Sequence, residues 1–269
     1  MSGNTEQKIV VICDFSPRMR ESIVHGIRMA QVLNKELCLA GSWYDKKHKA
    51  NIQEKLIGAT ESIRKSFPEL RISSLLIKNS LNENIDKLAW EYDAVLVILH
   101  KSMLKPALKA LRESSIAFLF VQGDSSDFLS YKNVLVPVDY RKATKDTALW
   151  SSFLGRFNRS QVQMVYAREK DKEQASLIQK NLSFLKKFLS NLNVTHQSVA
   201  GTTSSWGICQ ETVSRAHELK GDVMVMAGSA SISLLDLLIG LPEKKIIHKA
   251  GDLPVLIINP RKEICMMCD

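Results

Sequence analysis

At 269 residues the chain is long enough for two domains of ordinary size, and its 45% hydrophobic and 24% charged residues are typical of a globular protein. It contains no apolar run that could cross a membrane, and its polar start, MSGNTEQK, is unlike a signal peptide, so we expect a cytoplasmic protein without a membrane partner. The net charge of +9 is spread over all predicted helices and aromatic residues make up only 7%, which argues against a nucleic-acid partner.

The first half of the chain alternates predicted strands and helices. A continuous apolar run from Ile9 to Cys13 predicts a strand that ends at Asp14, and apolar residues at helical spacing predict the helix that follows. Further strands are predicted at 37–40, 72–77, 94–99 and 116–121, with helices between them at 52–67, 81–90 and 104–111. Strict alternation predicts a parallel sheet with helices on both faces and right-handed crossovers.

The second half of the chain repeats the first. QKIVVICD (7–14) is answered by KNVLVPVD (132–139), EYDAVLVILH (91–100) by KGDVMVMAGS (220–229), and ESSIAFLFV (113–121) by AGDLPVLII (250–258). So long a period indicates a duplicated domain rather than a short-repeat solenoid. We therefore expect an α/β protein of two doubly wound domains, 1–123 and 131–260, each with a five-stranded parallel sheet, followed by a tail at 261–269.

Several basic, aromatic and cysteine residues are assigned structural roles. The run Lys46–Lys49 is expected to be a solvated loop. A solvated helix face is favoured over an anion site for the basic stripe of Lys101, Lys105, Lys109 and Arg112. Core or interdomain packing is expected for Trp43, Trp90, Trp150 and Trp206. The tail pair Cys265 and Cys268 lacks the context that zinc or thioredoxin chemistry requires.

An aspartate closes the first strand of each copy, and a glycine-containing loop follows the fourth strand of copy two. In these features and in the α/β pattern the chain resembles the universal stress protein family, in its tandem two-domain form. Members of that family carry a glycine, two residues, a second glycine, nine residues, and a third glycine followed by Ser or Thr. Gly228 takes the first place and Gly240 falls near the third, whereas Ser231 replaces the second glycine and Leu241 replaces the Ser or Thr.

The resemblance implies an adenine nucleotide, ATP or a relative with its Mg²⁺, bound past the carboxyl ends of the strands of copy two, where parallel α/β sheets hold their ligands. It assigns adenosine contacts to Asp139 and to the backbone near Ala167, and phosphate contacts to the loop after the fourth strand. The site residues expected on this basis are Asp139, Ala167, Gly228, Ser229, Ser231 and Gly240. It implies no catalytic residue and no metal other than this Mg²⁺.

Each of the two central site residues has a structural alternative. Gly228 would also suit a tight turn with positive φ, and Asp139 would also suit a cap on the helix that starts near Ala143. Ser231 and Leu241 replace the second glycine and the hydroxyl residue of the family's loop, which removes about two hydrogen bonds to the phosphates. At roughly 1.5–3 kcal/mol each, this loss lowers nucleotide affinity by about two to four decades. Glu243 in the first turn of the next helix would repel phosphate, so we expect weak binding in copy two. Copy one, with Leu99-His100 in place of Gly228-Ser229, is expected to be structural.

The favoured function is that of a non-enzymatic, stress-response protein of the universal stress protein type that binds an adenine nucleotide weakly in its second domain. A nucleotide-independent scaffold for protein interactions is the alternative. A slow ATP hydrolase comes third, because no Mg²⁺ carboxylate or water-positioning residue is evident. The resemblance also implies that the two domains pair through their last strands about a pseudo-twofold axis, so that one chain imitates a homodimer. A homodimer of whole chains and a separate protein partner stay open.

Overall fold

A computed structural model of the chain describes residues 6–123, 129–229 and 242–259. The chain divides into two compact units, with the boundary between Asp124 and Ser125. We call residues 1–124 unit 1 and residues 125–260 unit 2. Within the described ranges, none of the helices has the length and apolar character needed to cross a bilayer.

Unit 1 is a single parallel sheet with helices in the crossovers. Its elements are β1 (Lys8–Cys13), α1 (Met19–Leu33), β2 (Glu36–Trp43), α2 (Lys46–Ser66), β3 (Ile72–Lys78), α3 (Leu81–Trp90), β4 (Ala94–His100), α4 (Leu104–Glu113) and β5 (Ala117–Val121). A short 3₁₀ turn, Lys101–Met103, connects β4 to α4. The strand order is β3-β2-β1-β4-β5, and every neighbouring pair is parallel.

Unit 2 repeats this architecture. Its elements are β6 (Asn133–Val138), α5 (Thr147–Asn158), β7 (Gln161–Tyr166), α6 (Lys172–Asn191), β8 (His196–Ala200), α7 (Ile208–Ser214), β9 (Val223–Ala227), α8 (Pro242–Lys249) and β10 (Val255–Ile258). A 3₁₀ turn, Lys142–Asp146, precedes α5. The order β8-β7-β6-β9-β10 is that of unit 1, again with parallel pairs. The predicted fold class of two doubly wound repeats, each with a five-stranded parallel sheet, is confirmed.

The cores lie along the central strands, as their unbroken apolar sequences predict. All residues of β4 and β5 are buried, and so are all residues of β9 and β10. Burial on both faces is the environment of a strand covered by helices on each side. In each unit the strand order reverses beside the first strand, between β1 and β4 in unit 1 and between β6 and β9 in unit 2. Ligands of doubly wound sheets bind at the carboxyl ends of the strands at this point.

The basic run Lys46–Lys49 is not a loop. It forms the first turn of α2, because the Asp45 side chain accepts a hydrogen bond from Lys47 N at 3.0 Å and so caps a helix that starts before its apolar stripe begins. The basic stripe also differs from the prediction. Lys101 lies in the 3₁₀ turn before α4 and is only 6% exposed, so it does not share the solvated face of that helix.

The tryptophans do not share one role. Trp150 is buried at 2% exposure, and its ring meets Phe153 edge-on. Trp90 and Trp206 are 65% and 82% exposed, so neither packs in the core of its unit. Trp90 is the last residue of α3, and Trp206 lies in the loop just before α7. At such positions the spacing of apolar residues carries no information about burial.

Candidate functional site

Asp139 follows β6 and its carboxylate is held entirely by protein donors. Oδ1 accepts hydrogen bonds from Arg141 N at 2.8 Å and from Thr144 Oγ1 at 2.5 Å. Oδ2 accepts from Arg141 Nε at 2.7 Å and pairs with Arg141 Nη2 at 2.7 Å. A carboxylate has about four lone-pair sites, so these four donors fill them. With 2% exposure, Asp139 anchors the 3₁₀ turn after β6, which is close to its structural alternative although Arg141 takes the formal N-cap position.

The neighbouring strand brings Ala167 to the same edge of the sheet. Ala167 directly follows β7 and is buried. Its backbone N–H donates to Val138 O at 2.9 Å, so this amide continues the ladder between β6 and β7. The Ala167 amide is therefore committed to the sheet, and Ala167 lies at the end of the strand next to that of Asp139.

Gly228 follows β9, and its backbone conformation corrects one expectation. It is not among the described glycines with positive φ, which are Gly123 and Gly251, so a tight left-handed turn does not explain it. A close approach does. A Cβ added at Gly228 would lie 3.2 Å from Ile257 Cγ2, which is tighter than ordinary van der Waals contact. Gly228 N donates to Ile258 O at 2.8 Å and extends the pairing of β9 with β10.

Ser229 N donates to Glu243 Oε1 at 2.5 Å, so the chain places a carboxylate of its own in the loop after β9. Glu243 is the second residue of α8 and is only 5% exposed. The backbone amide and the positive end of the helix dipole both stabilise a negative charge at this place. The same oxygen would lie 3.7 Å from a Cβ on Gly228. A carboxylate of the chain thus binds the Ser229 amide, which belongs to the loop that the resemblance assigns to phosphate contacts.

Arg141 pairs with the Asp139 carboxylate and is influenced more weakly by Glu243. Burial alone lowers the pKa of its guanidinium, but Asp139 and, more weakly, Cys209 and Glu243 raise it by more. Burial also raises the pKa of the Cys209 thiol to about 12; Arg141 opposes this shift, and Asp139 and Glu243 add to it. The thiol is therefore protonated at neutral pH and is a poor nucleophile.

The described part of unit 2 brings four of the six expected site residues to one edge. Asp139, Ala167, Gly228 and Ser229 end or follow three strands of the sheet, whereas Ser231 and Gly240 lie outside the described residues. Sequence reasoning missed Arg141 and Thr144 as the partners of Asp139. The spacing of Asp139 and Arg141 was the available signal, because a side chain two residues on can fold back over a turn. Within the described ranges, no group of three or more His, Cys, Asp or Glu side chains could hold a metal ion.

The equivalent edge of unit 1 is closed by a chain of hydrogen bonds. His100, at the end of β4, is 5% exposed, and its Nδ1 accepts from Ser102 N at 3.0 Å. Its Nε2 lies 3.0 Å from Glu21 Oε2, which also accepts from Gly123 N at 2.8 Å. Leu99 is fully buried beside it. No glycine lies between β4 and α4 to bring a bare backbone to a phosphate.

Comparison with known proteins identifies the fold. No protein-family model and no curated protein matches the chain. Among solved structures, a universal stress protein from Archaeoglobus fulgidus DSM 4304 superposes with a TM-score of 0.70 at 11% identity, over 94% of this chain and 96% of its own. A functionally unknown protein from Pseudomonas aeruginosa PAO1 superposes with a TM-score of 0.62 at 14% identity, over 95% of this chain and 93% of its own.

The two doubly wound units thus define a tandem α/β protein. Its fold is the universal stress protein fold, carried twice along one chain, and the predicted resemblance is confirmed at the level of the fold.

Proposed function

We propose that the chain is a non-enzymatic protein of the universal stress protein type, which acts in the stress response by binding an adenine nucleotide weakly at the carboxyl edge of unit 2. The observation that carries this proposal is the hydrogen bond from Ser229 N to Glu243 Oε1. The loop amide that would bind a phosphate is intact, and it already binds an anion of the chain itself. A nucleotide must compete with that anion.

The competition has a definite size. Displacing Glu243 costs one charge-assisted hydrogen bond, about 1.5–3 kcal/mol, which is about one to two decades in affinity. A Glu243 carboxylate left beside a phosphate also repels it, while the Arg141 guanidinium attracts it. The Asp139 carboxylate offers adenosine no unused lone pair unless Arg141 or Thr144 moves. The bound Glu243 and the saturated Asp139 carboxylate support weak rather than tight binding, and Arg141 acts in the opposite direction.

The same contacts support a role without catalysis. A hydrolase needs a group that is free to take a proton from water. Asp139 is saturated by donors, and burial keeps the Cys209 thiol protonated by raising its pKa to about 12. Neither group is poised to act as a base or nucleophile in the described state.

Replacing Glu243 tests the proposal directly. In Glu243→Gln the side chain keeps its size and loses its charge, so MgATP or AMP should bind about 10- to 100-fold more tightly, measured by isothermal titration calorimetry. The matched control is Glu173→Gln, which removes an exposed carboxylate from the first turn of α6 in the same unit. Equal affinities in wild type, Glu243→Gln and Glu173→Gln would contradict the proposal.

A nucleotide-independent interaction protein is the second candidate. It is favoured by the saturated Asp139 carboxylate together with Trp206, a large aromatic side chain that is 82% exposed in the loop before α7. Such exposed aromatics are enriched in protein interfaces. A bare mass in native mass spectrometry, with no thermal shift in excess MgATP for either the wild type or Glu243→Gln, would select this candidate.

A further inference from the structure

Trp43 and Tyr44 lie at the carboxyl end of β2 in unit 1, and two lysines lie over the Trp43 ring. Trp43 is the last residue of β2, and Tyr44 follows it with 70% of its surface exposed. Lys49 Nζ lies 5.3 Å from the centroid of the Trp43 ring, and Lys78 Nζ lies 5.8 Å from it. Lys78 is also the register partner of Trp43 on β3. Cations and aromatic rings therefore share one small area.

The first turn of α2 adds positive charge to the same area. Lys46, Lys47 and Lys49 are exposed, and this turn contains no acidic residue. Positive charge at a helix N-terminus opposes the helix dipole and lowers stability. Across the described ranges, no carboxylate lies within ion-pair distance of Lys46, Lys47, Lys49 or Lys78. The three lysines of this turn therefore lie where the helix dipole makes positive charge unfavourable, and no described carboxylate neutralises them.

The nearby carboxylates are engaged by other donors. Asp45 accepts from Lys47 N, through the backbone rather than the ammonium group. Glu83 accepts from Ser80 Oγ at 2.8 Å and from Asn79 Nδ2 at 2.9 Å. Asp14, after β1, accepts from the Ser16 backbone and hydroxyl. These donors are neutral and the carboxylates keep their charge, but among the described residues none of the three carboxylates forms an ion pair with Lys46, Lys47, Lys49 or Lys78, and the four lysines are exposed.

We infer that this basic–aromatic surface binds single-stranded nucleic acid. The surface consists of Trp43, Tyr44, Lys46, Lys47, Lys49 and Lys78. Lysines neutralise backbone phosphates, and exposed aromatic rings stack on bases that are not paired in a duplex. An acidic peptide would use the lysines but not the rings, and a duplex offers no unstacked base to Tyr44. A second lysine–aromatic pair, Lys55 with Phe15 at 5.5 Å, lies at the end of β1 and extends the same chemistry.

The run Lys46–Lys49 is visible in the sequence, but its meeting with Trp43 and Lys78 is not. The lysines come from the N-terminus of a helix and the end of a strand that are about 30 residues apart, and only the pairing of β2 with β3 brings Lys78 beside Trp43. The inference is independent of the nucleotide site in unit 2. Glu243→Gln should leave binding at the basic–aromatic surface unchanged.

The test is fluorescence anisotropy of the full-length protein with labelled single-stranded DNA and RNA of about 12 nucleotides, a length within the range of single-strand sites. Tyr44→Ala should weaken binding about 5- to 100-fold, because no ring remains there to stack on a base. Lys47→Glu should weaken it about tenfold and make the slope of log K against log salt shallower, by roughly 0.7 for each phosphate that the surface no longer neutralises. Because a negative charge at the start of α2 favours the helix dipole, the melting temperature of Lys47→Glu should not fall.

Matched controls lie in the same unit. Lys65→Glu reverses a charge in the last turn of α2, and Trp90→Ala removes a 65%-exposed ring at the end of α3. Both should bind oligonucleotide like the wild type. Absence of saturable binding at low salt, or equal weakening by Lys47→Glu and Lys65→Glu, would overturn the inference. A third result would also overturn it: polyglutamate displaces the labelled oligonucleotide as effectively as unlabelled oligonucleotide does, and Tyr44→Ala does not weaken binding. The surface would then recognise charge alone.

Discussion

At the scale of single residues, Asp139 and Arg141 determine the state of the candidate site. The carboxylate has no solvent-facing lone pair to spare, and the guanidinium is held by two nitrogens against it. Asn181 Nδ2 donates to the carbonyl oxygens of both residues, at 2.8 and 2.9 Å, and fixes the backbone beneath them. The sequence suggests a ligand site at Asp139. In the folded chain this residue belongs to a turn that is held by its own hydrogen bonds.

Replacing Asp139 should therefore cost stability. Asp139→Asn removes the ionic partner of Arg141, and we expect the free energy of unfolding to fall by about 1.5–3 kcal/mol. Asp14→Asn is the matched control, since Asp14 holds the same place in the first copy but is exposed and, among the described residues, accepts hydrogen bonds only from Ser16. Urea unfolding of the two variants measures the difference. Equal losses in the two would show that the Asp139–Arg141 pair contributes nothing special.

At the scale of elements, α1 shows how closely a helix approaches its sheet. A Cβ at Gly26 would lie 2.4 Å from Val11 Cγ2 and 3.1 Å from Leu37 Cδ1, so α1 contacts β1 and β2 through the bare backbone. In α2, by contrast, nothing lies within 4 Å of a Cβ at Gly58. Both glycines lie inside helices, but only at Gly26 does a close approach to the sheet exclude a larger side chain.

The two glycines predict opposite effects of alanine. Gly26→Ala should destabilise unit 1 by about 1–3 kcal/mol, because overpacking against Val11 outweighs the gain in helix propensity. Gly58→Ala should stabilise it by up to about 1 kcal/mol, since only the propensity changes. Denaturant melts of both variants test this pair. A stabilised Gly26→Ala would mean that α1 can shift away from β1 at little cost.

The same helix predicts a loss of stability in mild acid. His25 is 1% exposed, and burial lowers its pKa from 6.5 to about 4; the Gly123 backbone opposes the shift and Lys101 adds to it. Glu21 and His100 are the other ionisable groups joined to this region. As the pH falls below 6.5 the unfolded chain is protonated first, so the stability is complete above pH 6.5 and is lost toward pH 4, by about 3 kcal/mol.

Unfolding free energies at about pH 7.5 and about pH 4.5 measure this loss. In His25→Gln the part of the loss due to His25 should disappear, while the control His48→Gln, at an exposed position in the first turn of α2, should keep the wild-type dependence. A wild-type pH dependence in His25→Gln would assign the acid sensitivity to other groups.

At the scale of the whole molecule, the duplicated fold has two different carboxyl edges. In unit 2 an anion of the chain, Glu243, satisfies the loop amide of Ser229. In unit 1 the edge near β4 is closed by His100 and Glu21, and the edge near β2 presents lysines without partners of opposite charge among the described residues. The pairing of the two copies through their last strands stays a prediction.

The duplication made the fold predictable, because hydrophobic periodicity and alternation recur in both halves. The same regularity placed Asp139, Ala167 and Gly228 at strand ends. What periodicity could not reveal was where their hydrogen bonds go. Arg141 and Glu243 reach the site from a turn and from another element, so their contacts depend on tertiary geometry. The start of α2 was missed for a related reason, since its first turn is polar and is defined by the Asp45 cap.

The ion pair of Asp139 and Arg141 predicts how the two residues vary among related proteins. Losing the arginine alone leaves the buried Asp139 carboxylate without its ionic partner, and losing the aspartate alone leaves the partly exposed Arg141 guanidinium without its own, whereas losing both removes the conflict. Descendants of the same duplication should therefore carry the two residues together or lack them together. A relative that keeps the aspartate but not the arginine would have its carboxylate released, and would be the better place to look for a ligand.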